Sequence, residues 1–240
     1  MIDTTFLVTS DARGRDPDSH SPTLRRFHRT LWSKPLPNGK RFDLSLDVPG
    51  QYLHHRSELG EFSLSSDSIG HSYRYIKATA PIIEQVPVND LDSFYELVLT
   101  IGAYIVFPAR KVDGKATING ARGMHAKIRD RFDLTLECIR RHYAGEASPL
   151  SEVLTRYANF FSLFGSFEGY ADFFLLQDLT TSNGSAVRFT LPFDGFESKP
   201  LPADVPAYLA YRESMMAFVE GRNNRILAQT RSDEPAPLQD

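Results

Sequence analysis

Between Thr23 and Trp32 (TLRRFHRTLW), Leu24, Phe27 and Leu31 recur at helical spacing while Arg25, Arg26 and Arg29 lie off that face. Pro22 precedes the run and Lys34-Pro35 follows it, so the pattern predicts a short amphipathic helix with a proline stop. After the turn signal Pro37-Asn38-Gly39 the period changes to two. Phe42, Leu44 and Leu46 alternate with Arg41, Asp43 and Ser45, which predicts a half-buried strand. Tyr52-Leu53 and Phe62-Ser63-Leu64 predict two further strands, and together these imply a mainly antiparallel sheet.

Helical spacing returns at Asp92, with Phe94, Leu97, Val98 and Ile101 on one face, Asp92 or Ser93 as cap and Gly102 as stop. Tyr104 to Phe107 reads as a short buried strand, and Asp113-Gly114 predicts a small hairpin leading into Ala116 to Ile118. The clearest helical signal runs from Met124 to Tyr143, where Ile128, Phe132, Leu136, Ile139 and Tyr143 share a face. Ser148-Pro149 begins a second helix through Phe161, closed by Gly165, and Ser166 opens a third that ends near Leu179. Val187, Phe189 and Leu191 then alternate with Arg188 and Thr190 as a strand, and Asp204 with Pro206 launches a last helix through Ile226.

Strands gathered early and helices gathered late predict an α+β fold, an antiparallel sheet from the N-terminal half packed with a C-terminal helical block. A length of 240 residues without a linker-like stretch fits one domain over residues 1–230, and a disordered tail is expected from Arg231. Aromatic residues at 12% supply large side chains for its core.

A formal charge of −3 removes the broad positive excess of a polyanion-coating protein and leaves room only for a local basic patch. Cys138 is the only cysteine, so neither an intrachain disulfide nor a cysteine-based metal cluster can form within one chain. No histidine-based metal spacing is recognised either, and no metal is expected. The first ten residues lack a signal-peptide pattern, and the most apolar stretch, Leu97 to Pro108, falls short of the roughly 20 residues that span a bilayer. A cytoplasmic protein is expected.

Two constellations carry candidate chemistry. Arg110, Asn119, Arg122 and His125, with Lys111, Lys115 and Lys127 nearby, gather cationic and amide donors before the predicted long helix. That composition suits a phosphate-bearing ligand, a nucleotide or a nucleic acid; it equally suits a solvated surface on which Asn119 and Arg122 fix a turn. His54, His55 and Glu58, with Arg56 and Glu61, place two imidazoles and two carboxylates within eight positions, as acid–base chemistry in an intracellular hydrolase would require. A dispersed surface-and-core pattern explains the same residues.

Arg25, Arg26, His28 and Arg29 with Trp32 form a possible single-strand nucleic-acid platform, against which stands a solvated helix face. Cys138 and His142 are four residues apart on one helix, whereas catalytic Cys–His pairs come from separate segments. The phenylalanines from Phe160 to Phe174 read as helix–helix core, with an exposed portion recruiting a protein partner as an alternative to any ligand site. The phosphate-loop, dinucleotide-fold, zinc-protease and serine-hydrolase signatures are all absent.

Three stretches together resemble a family of uncharacterised bacterial proteins, a domain of unknown function: His20 to Arg26 with Leu31 to Pro37, Tyr52 to Ser68, and Thr117 to Leu179. Within the last, ARG at Ala121 to Gly123, DRFDLTLE at Asp130 to Glu137 and FFLLQDL at Phe173 to Leu179 are the most distinctive. The resemblance implies a bacterial cytoplasmic protein and brings no catalytic residue with it.

Overall fold

The computed structural model describes residues 2–232. A one-turn helix α1 (Pro17–His20) leads into α2 (Pro22–Trp32), which starts where Ser21 Oγ accepts the Leu24 N–H at 3.0 Å. Leu24, Phe27 and Leu31 are buried as their spacing predicts, and so are His28 and Trp32. The Trp32 indole N–H donates to His28 Nδ1 at 3.0 Å, which leaves Nε2 as the protonated nitrogen of the neutral ring. Burial pushes the His28 pKa down to about 3, so the ring is neutral.

The sheet has three strands, β1 (Leu53–Ser57), β2 (Gly60–Ser68) and β3 (Tyr104–Pro108), in the order β1-β2-β3 with both pairings antiparallel. Leu53 lies opposite Leu64, His54 opposite Ser63, and Asp67 opposite Ile105. Between β2 and β3 come α3 (Ala80–Ile83) and α4 (Val88–Leu97), the latter starting four residues ahead of the expected Asp92. After β3 follow α5 (Ile118–Met124), α6 (Phe132–Ala144), α7 (Ser151–Arg156), α8 (Ala158–Phe161), α9 (Phe167–Phe173) and α10 (Val205–Ser232). The architecture is therefore α+β, an N-terminal antiparallel sheet with a C-terminal helical block.

The helix expected from Ser148 through Phe161 is split into α7 and α8, and the one expected to end near Leu179 stops at Phe173. Four further expected elements come out differently, and side chains explain three of them. Phe42 and Leu44 are buried as the alternation implies, but residues 42–46 form no strand; the Leu44 N–H is taken by Ser33 Oγ at 2.8 Å instead of a ladder carbonyl. Val187 makes a single bridge to Thr180, and Asp133 Oδ2 accepts from both the N–H and the hydroxyl of Thr190, each at 2.8 Å, in place of a neighbouring strand. The helix expected from Met124 begins only at Phe132, because residues 125–131 turn, with Arg129 at φ 45° and Asp130 at φ 63°. The Arg122 guanidinium donates to the Asp130 carbonyl at 2.8 Å and holds that turn. Asp113 and Gly114 do turn, at φ 53° and 68°, but the chain passes on into α5 and makes no hairpin.

One contiguous hydrophobic cluster runs from Ile2 to Ile226. The aromatic block is spent inside it: Trp32 packs edge-on against Phe174 at 5.1 Å, and Phe164 against Tyr170 at 5.3 Å. Arg222 of α10 is fully buried and donates to the carbonyls of Gly102 at 2.8 Å, Tyr104 at 2.7 Å and Phe174 at 3.1 Å, tying the last helix to β3 and the end of α9. Burial pulls its pKa down to about 9, which still leaves it charged at neutral pH. The tail expected to be disordered from Arg231 begins inside α10, and residues 233–240 lie outside the described residues.

Candidate functional site

The β1–β2 register builds the site. His54 faces Ser63 across the ladder, and Glu61, two residues before Ser63, projects from the same face. His54 Nε2 consequently reaches Glu61 Oε1 at 3.2 Å. Tyr52 stands just ahead of β1, and the Arg25 guanidinium, carried by α2, lies 4.6 Å from its ring centroid. Arg110 follows directly on β3, and residues 47–51 close the opposite side. These groups line a cleft of about 950 Å³ together with Ser19, Asp47, Gln51, Ser63 and Leu64.

Charge pairing in the cleft is asymmetric. Asp47 is taken by Arg29 at 2.8 Å and Glu61 by His54. The guanidinium groups of Arg25 and Arg110 have no ion-pair partner among the described residues. Three side-chain atoms of cleft residues, Arg25 Nε, the Tyr52 hydroxyl and His54 Nδ1, are shielded from solvent and lack a hydrogen-bond partner. Burial of Tyr52 raises its pKa well above the ordinary tyrosine range, so the hydroxyl keeps its proton. Glu61 Oε1 lies 3.2 Å from His54 Nε2, and the unpartnered Nδ1 donates or accepts according to the tautomer of the ring.

His28 Nε2 donates to Ser66 Oγ at 2.9 Å, and Asp18 of α1 lies beside the Ser66 hydroxyl. Asp18 Oδ1 is shielded and unpartnered. Burial, with the charges of Asp67 and Asp16 beside it, pushes the Asp18 pKa up to about 8.

The residues singled out from the sequence separate. Arg110 reaches the cleft, but Arg122 is 0% exposed. Its guanidinium donates to Asp67 Oδ2 at 2.6 Å, the Ser68 carbonyl at 3.0 Å, the Asp130 carbonyl at 2.8 Å and Thr135 Oγ1 at 3.2 Å. Asn119 donates to the Ser66 carbonyl at 3.1 Å, and His125 Nδ1 accepts the Lys127 N–H at 3.2 Å. α5 itself is seven residues long and is capped by Thr117. Of His54, His55 and Glu58 only His54 lines the cleft, joined there by Glu61 from the same stretch of sequence. His55 stacks on Phe42 at 4.2 Å and contacts the Asp43 carbonyl at 2.8 Å, while Glu58 sits on the hairpin turn 3.7 Å from Lys40.

Arg25 stood in the sequence within another grouping, Glu61 stood with His54, and Tyr52 carried no functional signal; the fold brings the three to one cleft. Trp32, wholly buried, offers no stacking platform. Cys138 is buried and its thiol is pushed up to about 12 by that burial, which keeps it in the unreactive protonated form. Among the described residues no three His, Cys, Asp or Glu side chains are grouped to hold a metal ion, and no helix is long and apolar enough to cross a membrane.

A family model described as a family of unknown function (DUF6994) matches residues 2–226. No curated protein and no solved structure matches the chain.

Proposed function

The chain belongs to DUF6994, a family of unknown function, and we propose that it binds a phosphate-bearing small molecule in the cleft between α2 and the β1–β2 hairpin. Arg25 and Arg110 are its anion contacts. The observation that carries this reading is the pairing of charges in the cleft: Asp47 is held by Arg29 and Glu61 lies beside His54, while the two arginines have no ion-pair partner among the described residues. A planar guanidinium presents paired N–H donors that match a phosphate edge, and two of them around one anion relieve their mutual repulsion.

The test is calorimetric titration with inorganic phosphate and pyrophosphate at low ionic strength. Arg25→Ala combined with Arg110→Ala is expected to weaken binding by about tenfold or more, since each charge-assisted hydrogen bond contributes roughly 1.5–3 kcal/mol. Equal affinity of wild type and double variant, or no binding by either, would remove the reading.

A further inference from the structure

Once the two arginines are assigned to an anion, the rest of the cleft still has chemistry to satisfy. Its volume of about 950 Å³ far exceeds what a lone phosphate fills and lies at the upper end of small-molecule sites. The remaining lining is rich in hydroxyl and amide groups, with Ser19, Gln51, Tyr52 and Ser63 contributing. Two shielded atoms ask for partners. The Tyr52 hydroxyl can donate and accept, and His54 Nδ1 donates or accepts according to the tautomer of its ring. His54 is only 5% exposed, so its unmatched nitrogen is a buried polar group rather than a solvated one.

A nucleobase would need a free aromatic or apolar face, because stacking supplies most of its binding where no base edge is read. Among the described residues two aromatic rings line the cleft: Tyr52 has Arg25 against it at 4.6 Å, and His54 is only 5% exposed, while the aliphatic Val48, Pro49, Leu64 and Ala109 offer no flat face. An aliphatic hydroxyl meets the opposite requirement: it both donates and accepts, as the unmatched Tyr52 and His54 atoms demand, and it needs no stacking surface.

We propose that the body of the ligand is a polyol, so that the cleft takes a phosphorylated sugar or a comparable polyhydroxy phosphate. This rests on the anion-binding reading above. The arginines hold the phosphate, Tyr52 and His54 each bond a hydroxyl, and Ser63 lies opposite His54 on the ladder to extend the same row.

The experiment titrates the full chain at pH 7 and low salt with inorganic phosphate, glucose 6-phosphate, ribose 5-phosphate and AMP. At least one sugar phosphate is expected to bind about tenfold or more tightly than inorganic phosphate, the gain from two added hydrogen bonds. AMP is expected to bind no better than ribose 5-phosphate. In Tyr52→Phe, which keeps the ring under Arg25 and removes only the hydroxyl, the ratio of sugar-phosphate to inorganic-phosphate affinity falls toward one.

Sugar phosphates that bind no better than inorganic phosphate overturn the proposal, as does AMP binding tenfold tighter than ribose 5-phosphate, or a ratio that Tyr52→Phe leaves intact. Each of these results leaves the anion site standing so long as the arginine pair still controls phosphate affinity. If no phosphate binds at all, both readings fall together.

Discussion

Arg122→Ala is expected to lower the stability of the protein by about 3–5 kcal/mol, the usual cost of removing one partner from a buried ion pair. The guanidinium joins three elements: Asp67 and Ser68 on β2, the turn at Asp130, and Thr135 on α6. Its removal leaves the Asp67 carboxylate without its cation and two carbonyls without donors. Burial already raises the Asp67 pKa and the Arg122 charge works against that rise, so the variant carboxyl would take up a proton or admit water. Urea unfolding followed by circular dichroism measures the loss as a lower midpoint at similar slope. Asp67→Asn in the Arg122→Ala background should recover part of it, since the pair is coupled. A loss below about 1 kcal/mol would mark Arg122 as a surface residue, contrary to its complete burial.

Asp18→Asn is expected to do the reverse, stabilising the protein at alkaline pH. The Asp18 carboxyl has a folded pKa of about 8 against an ordinary 3.8, raised first by burial and then by Asp67 and Asp16, with Ser66 and Arg122 opposing. Between those values the native state holds a proton that the unfolded chain has lost, so native stability falls as pH rises from about 4 to about 8. The contribution is fully present below pH 4 and gone above pH 8. Asparagine carries no proton to lose and nearly keeps the size and shape of the side chain. The variant should match wild type near pH 4 and exceed it by about 2 kcal/mol or more at pH 8.5, a figure held below the full shift to allow for relaxation and water entry. Parallel stability curves for the two proteins across that range would refute the assignment.

Much of the fold was legible in the amino-acid pattern. The helix carrying Leu24, Phe27 and Leu31, the strands at Leu53 and Phe62, and the apolar run at Tyr104 stand where period and turn residues put them. What escaped was decided by side chains bonding distant backbone. Asp133 at Thr190, Ser33 at Leu44 and Arg122 at Asp130 each occupy a group that a ladder or helix would otherwise use. Such bonds span 8 to 57 positions and leave no local periodicity.

The candidate site was legible only in fragments. Arg110 and His54 were visible as residues of suitable chemistry, but a basic residue that binds a ligand and one that stitches a core look alike in sequence. Arg122 is the example, since its neighbours Asp67 and Thr135 lie 55 and 13 positions away. Arg25 on α2 meets Tyr52, ahead of β1, only through the tertiary fold.

The central claim is that an anion is held by Arg25 and Arg110 while the more conspicuous Arg122 stays in the core. The most direct measurement follows the arginine Nε–H signals by NMR during a phosphate titration. Saturable, parallel shifts of the Arg25 and Arg110 signals with a stationary Arg122 signal are the predicted result. Shifts centred on Arg122 and His125, with Arg25 and Arg110 unmoved, would contradict it.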